Sequence, residues 1–435
     1  MRKLPAVMPI ILALLLLSLA PCLAANQNAP AHPGRSRPEK SGLEELIREA
    51  LGNNPGLKAA EERLDAYSQI PSQAESWDNP RLGVGLLNLP DNSFSFEQEP
   101  MTQKQVTVAQ EIPFPGKLPL KGQIAGKDVD IAAEAVAEKK NGLIMQVKTV
   151  YWDLLLVEKT IAVTRENRDL LRDFVKTAES RYAVGKGIQQ DVLKAQVELS
   201  KMIDMLIRQQ QRKQDLTARL NTLLYRPIDT KVTEIEGQDL DRLPLPTFAF
   251  GAGELEKMAA ENRPVLAGAR RRIEKYRLAV RLAKKDYYPD FDVAVSYGQR
   301  EGRPDFVSGS VMVAIPLWHK TKEDRKVAQE RANVIMAREQ YDSLENDIFF
   351  SLQDAVLEMR EYADQIDLFK TGLLPQARAA LQSAIAGYGV NKVDFVTLID
   401  NQLTLYDYEI KYYGLLTDYE NTMARIEAAV GKRLF

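Results

Sequence analysis

Residues 110–122 read QEIPFPGKLPLKG, with Pro113, Pro115 and Pro119 crowded together and no further proline until Pro227. The residues before them, QVTVAQEI, alternate apolar and polar as a half-buried strand does. Those after follow helical spacing for some sixty residues. Pro113 removes a ladder donor, Pro115-Gly116 turns the chain, and Pro119 suits a first helical turn. The stretch therefore joins a strand to an unusually long helix, and Ile315-Pro316-Leu317-Trp318 has the look of the same joint written again.

Other pieces recur at the same offset to within about three residues. RYAVGKGIQQDVLKAQVEL from Arg181 matches GYGVNKVDFVTLIDNQLTL from Gly387 at Tyr182/Tyr388, Val184/Val390, Lys186/Lys392, Gln196/Gln402 and Leu199/Leu405. Asn53-Asn54-Pro55-Gly56-Leu57 pairs with Asn262-Arg263-Pro264-Val265-Leu266, and Val108–Pro113 with Val311–Pro316. Matches in one order argue for a tandem duplication of about 206 residues. Each copy then reads helix, two strands, very long helix, short turn, long helix. The first copy spans 41–226, with strands 81–88 and 105–112 and a helical hairpin 120–225 whose tip is 184–187. An equatorial segment, 227–250, links it to the second copy, 251–435. That copy has strands 290–298 and 307–317 and a hairpin 320–432 with its tip at 390–392.

Every strand has one apolar face: Leu82, Val84 and Leu86; Val106, Val108 and Ile112; Phe291, Val293, Val295 and Tyr297; Val307, Val311, Val313, Ile315 and Leu317. Trp77, Phe114, Tyr287, Tyr288 and Trp318 flank the strands at what would be one end of two hairpins. Aromatics at one level suggest a membrane-interface girdle. Four strands cannot close a barrel, and an open edge in hydrocarbon leaves backbone groups unpaired at several kcal/mol each. The barrel must be shared between chains, and three copies give twelve strands, wide enough for a channel.

The helices carry a coiled-coil seam: Val136, Leu143, Val147, Val150, Leu154, Val157 and Ile161, with Lys140 the exception, resuming at Leu171, Val175, Ala178 and Tyr182. Pro375 should kink or interrupt the second hairpin.

Charges nearly balance, with a formal net of −2, so no field for nucleic acid is implied. Arg2 and Lys3, an apolar run to Leu19 and a small-residue site predict a secretory signal over 1–24, followed by a proline-rich linker over 25–40. Cys22 is the only cysteine, and Pro21 stands where a lipoprotein signal wants a small residue.

On the duplication, the two turns and the Gln110–Lys117 joint, the sequence resembles the TolC family of outer-membrane efflux proteins, most of all its heavy-metal branch. The resemblance implies a mainly α fold with a small β part: a long α-helical coiled-coil barrel above four transmembrane strands per chain, with a homotrimer closing a twelve-stranded β-barrel. It implies a passive outer-membrane exit duct, embedded in lipid and reaching into the periplasm of a Gram-negative bacterium. The partners implied are a periplasmic adaptor (membrane fusion protein) and an inner-membrane pump. Ducts for organic solutes or for type I protein secretion share this build and stay open as alternatives. Asn391 departs from the glycine found at Gly185, mildly, since Asn tolerates left-handed backbone.

The resemblance makes Val184, Gly185, Lys186, Val390, Asn391 and Lys392 the adaptor-docking tip. It places acidic residues at the tunnel mouth, where Asp400 is the leading candidate and Asp191 and Asp394 lie nearby. A ring of carboxylates there would attract cations. The joint residues are Pro113, Pro115, Gly116 and Pro316. No metal site or cofactor is expected, since the histidines are only His32 and His319 and no histidine–cysteine cluster exists. No nucleophile–base pair or phosphate loop points to an enzyme.

Overall fold

The computed structural model describes residues 42–235, 240 and 248–434. The expected signal and linker, with Cys22 and His32, lie outside them, as does part of the inter-repeat segment 227–250.

Each copy opens on a helix broken at a proline. In the first, α1 (Gly42–Asn53) passes to α2 (Pro55–Ser68) and a short α3 (Ile70–Glu75), followed by strands β1 (Arg81–Leu87) and β2 (Gln103–Ile112). Then come α4 (Lys117–Ala183) and α5 (Gln189–Leu224). The second copy has α6 (Ala252–Asn262), α7 (Pro264–Lys285), β3 (Phe291–Gln299), β4 (Phe306–Val313), α8 (Glu323–Leu368), a π turn (Phe369–Leu373), α9 (Leu374–Gly389) and α10 (Phe395–Val430). The repeated Asn-Pro and Arg-Pro sites are where the opening helices break. Asn54 (φ −61°, ψ 117°) and Arg263 (φ −70°, ψ 116°) are both extended, because a following proline ring disfavours helical backbone. Two residues past each proline, Leu57 and Leu266 fill the core.

The strands form one antiparallel sheet in the order β1-β2-β3-β4, so the copies are joined through β2 and β3. Three strand ends differ from expectation. Asn88 has φ 51°, which stops β1 at Leu87. β2 reaches back to Gln103, paired with Leu87. β4 stops at Val313 rather than 317, because Val313 already faces Phe291, the first residue of β3, and nothing is left to pair with Ile315 or Leu317.

The seam residues Val136 through Ala178 are buried as expected, while Lys140 reaches out to Glu61 at 2.9 Å. Tyr182 is an exception: it is exposed in the last turn of α4, one residue before the helix ends. At 67 residues α4 is about 100 Å long. It packs against α5 within its own copy and against α7 and α10 of the other. Pro375 interrupts the second hairpin through the π turn just before it. The Leu374 N–H reaches back five residues to the Phe369 carbonyl, making room for a ring that cannot donate.

Candidate functional site

The sheet register lines up whole rows. Leu82, Val108, Val295 and Gly309 form one; Val84, Val106, Tyr297 and Val307 the next. These rows are exposed, with Val84 81% and Val307 72% accessible. Water would disfavour so large a continuous apolar surface; lipid would not. The opposite face is small and polar: Gly83, Thr107, Ser296 and Ser308 form one row, and Gln105 donates to Ser296 at 2.9 Å. In β2 the outward Val106 and Val108 are exposed whereas the inward Gln105, Thr107 and Ala109 are half-buried, as a sheet concave toward its polar side requires. The one polar residue among the central apolar rows, Gln110, is satisfied by the Asp78 carbonyl at 2.8 Å. Among the described residues no helix is long and apolar enough to cross a membrane.

Below the sheet, the first joint is a lock. Gly116 takes φ 90°, a conformation costly for other residues, and caps α4. The buried Lys117 ammonium donates to both oxygens of Asp290, at 2.9 and 2.8 Å, and lies 3.5 Å from Asp286. The Phe114 N–H donates to the same Asp290 carboxylate at 2.6 Å. Pro113 and Pro115 thus position a strand end that the second copy clamps. The aromatics expected at one level are all at this end of the strands. Phe114 and Tyr288 stack at 4.5 Å beneath Lys285, Tyr287 lies near His319, and Trp77 and Trp318 are exposed. Pro316 lies in the second joint, where Ile315, Leu317 and Trp318 are all exposed.

At the far end of the hairpins the two turns have one geometry. The N–H of Lys186 reaches the Arg181 carbonyl at 2.8 Å, and that of Lys392 the Gly387 carbonyl at 2.9 Å. The apex residues Gly185 and Asn391 are left-handed, with φ of 73° and 61°. Val184, Lys186, Val390 and Lys392 are exposed around them. Arg181 staples the two turns: it donates to the Tyr388 carbonyl at 2.7 Å and its guanidinium covers the Tyr388 ring. Sequence reasoning missed this staple and the Lys117–Asp290 clamp. A signal for the first existed: Arg181 is aligned with Gly387, where a side chain would strike Val393.

The three acidic candidates have different surroundings. Asp394 caps α10, accepting from the Thr397 N–H at 2.6 Å. Burial, with Asp394 adding to it, pushes the Asp191 carboxyl up. Asp400 is exposed on the second turn of α10, pointing away from buried Leu398, Ile399 and Gln402. Among the described residues no group of His, Cys, Asp and Glu could hold a metal.

This arrangement, a membrane-suited sheet carried on paired helical hairpins twice over, has known relatives. The outer membrane efflux protein family matches residues 46–224 and 255–432, one segment in each copy. The chain belongs to that family. As an outer membrane efflux protein it is a passive channel of the Gram-negative outer membrane and not an enzyme. It is similar to the cobalt-zinc-cadmium resistance protein CzcC of Cupriavidus metallidurans, 23% identical over 397 residues and covering 90% of each chain. Its fold is that of the outer-membrane channel OprN (TM-score 0.77, 17% identity, 91% of each chain). It is also that of CusC (TM-score 0.75, 15% identity, 94% of this chain and all of that one).

Proposed function

We propose that three copies of this efflux protein close a twelve-stranded barrel and serve as the exit duct of a tripartite pump for heavy-metal cations. The observation that carries the assembly is the sheet itself: apolar outside, small and polar inside, with β1 and β4 unpaired at its two edges. Pairing β4 of one chain with β1 of the next removes both edges. The small inner rows suit an open lumen rather than a filled core. The likeness to a cobalt-zinc-cadmium resistance protein supports the cargo. The exposed turns Val184–Lys186 and Val390–Lys392, held side by side by Arg181, are the adaptor-docking tip, and an inner-membrane pump completes the path. Asp400, exposed just above that tip, lines the mouth and favours cations.

Detergent-solubilised protein should have the mass of three chains; a membrane-inserted monomer would refute the shared barrel. A deletion strain should lose tolerance to cobalt, zinc or cadmium. Sensitivity to organic solutes alone would reassign the cargo. Asp400→Lys should turn a cation-preferring channel toward anions in planar bilayers, and unchanged ion preference would place Asp400 outside the mouth.

A further inference from the structure

The inner face of the sheet carries formal charge at three residues only, Arg81, Glu111 and Asp292, and all three lie in the last two rows before the helices. Toward the outer end the inner positions are Gly, Ser, Thr, Gln, Leu and Phe, and Met312 completes the Glu111–Asp292 row. Arg81 on β1 reaches across β2 to pair with Asp292 on β3. It can do so because the row it crosses is Ala109, Ala294 and Ser310, too small to block it. Glu111 sits directly opposite Asp292 in the register. Among the described residues no cation pairs with the Glu111 carboxylate. The second Asp292 oxygen is buried without a hydrogen-bond partner.

We infer that Glu111 forms a cation-selecting belt at the base of the barrel, separate from the periplasmic mouth. The inference rests on the shared-barrel reading. Each chain contributes one neutralised pair and one free carboxylate, so three chains leave a belt of three uncompensated negative charges. The neighbouring inner rows are alanine, serine, glycine and threonine and the Glu111 row ends at Met312, so Arg81, Glu111 and Met312 are the longest inner side chains at that level. A fixed charge within a Debye length of the permeating ion, about 10 Å at 0.1 M salt and about 3 Å at 1 M, biases which ion enters. Gln402, two residues past Asp400, bonds Asn167 far down α4, which puts the belt and Asp400 roughly 80 Å apart, so their effects should combine independently.

The test is the cation-to-anion permeability ratio of reconstituted channels in KCl gradients. At 0.1 M, Glu111→Gln should lower the ratio at least twofold and Glu111→Lys should invert it, while Arg81→Gln should raise it. All three effects should shrink toward nothing at 1 M. In an Asp400→Ala background the Glu111→Gln factor should be unchanged. A conducting, trimeric Glu111→Lys channel with the parent's ratio overturns the belt. Should the lysine variant fail to assemble, the isosteric Glu111→Gln decides the question in its place, an unchanged ratio again overturning the belt. Parent protein that forms no trimer and no channel refutes the shared barrel instead, a different result from an unchanged ratio.

Discussion

The helix α4 has two long seams, one with α5 of its own copy and one with α10 of the other, and they are made differently. Against α5 the buried contact is mainly apolar, with Val157 and Ile161 on Leu206. Lys213–Glu158 (2.7 Å) and Gln196–Glu179 (3.4 Å) sit at the exposed rim, and Glu198, buried on α5, is paired within its own helix. Against α10 polar groups run the length of the seam: Asn167 with Gln402 (2.6 Å), Thr164 with Tyr406 (3.0 Å), Asp153 with Asn421 (3.1 Å), and Lys148 with Glu427. The clamp of Lys117 on Asp290 and the staple of Arg181 on Tyr388 also cross between copies. Apolar seams are interchangeable between duplicated halves; unique polar pairs are not. A tandem repeat that folds with the right copy in each place needs the second kind, because an unmatched polar group left buried costs about 1–3 kcal/mol.

The sharpest way to break this contrast is at the joint. Asp290→Ala leaves the buried Lys117 ammonium with only Asp286, 3.5 Å away, and the Tyr288 carbonyl, and should cost about 3 kcal/mol, the low end for removal of one partner of a buried pair. Thermal melts should show it as loss of the assembled form. Lys322→Ala in the second joint, where the lysine is exposed, should leave the melt within about 0.5 kcal/mol of the parent. Equal losses would show that both joints are locked alike.

The foot of the polar seam gives a pH-dependent effect of similar size. A cavity of about 320 Å³ there is lined by Ile144, Met145, Trp152 and Met423. Glu420 on α10 faces it, with Lys148 of α4, Glu427 of α10 and Glu44 of α1 around it. Burial pushes the Glu420 carboxyl up from 4.5 to about 7; Lys148 opposes the rise and Glu427 adds to it. The folded state therefore holds this proton more tightly than the unfolded chain, and stability drains away as pH rises from 4.5 through 7. Glu420→Gln should match the parent at pH 4 and exceed it at pH 8 by up to about 3 kcal/mol in denaturant titrations. A gain that is the same at both pH values would mean the carboxyl is not titrating in that window.

The two tips bracket the small end of the scale. Gly185 and Asn391 share left-handed backbone, which asparagine adopts with little penalty. Asn391→Gly should change the melting free energy by no more than a few tenths of a kcal/mol, whereas Gly185→Val should cost about 1–2 kcal/mol. A large effect of Asn391→Gly would mean its side chain has a task of its own at the tip.

What is legible in the sequence follows the same division. Alternation marks the membrane face of each strand, three-four spacing marks the seam from Val136 to Ala178, and the repeated Asn-Pro and Arg-Pro sites mark the helix breaks. All are local patterns. Lys117 and Asp290 are separated by 173 positions, and Arg181 and Tyr388 by 207, so no window of sequence holds both partners. Alternation alone makes β4 too long for a related reason: Ile315 and Leu317 keep the pattern, but the strand that should pair with them has not yet begun. Proximity in the chain groups Asp394 with Asp400, while the geometry of Asp394 is that of a helix cap.

The pairing of β2 with β3, nine residue pairs between the copies, bears on how such a channel is put together. If three chains close the barrel, the contact between β4 of one chain and β1 of the next is again a meeting of a first copy with a second. The ring is then six hairpins in alternating order, already tethered two by two. A tether replaces three encounters in solution with three that happen at millimolar effective concentration. It sets the arithmetic as well, because each added or missing chain changes the ring by four strands at once. A ring one hairpin too small or too large cannot form from whole chains, so the pore diameter is guarded by the way the gene was doubled.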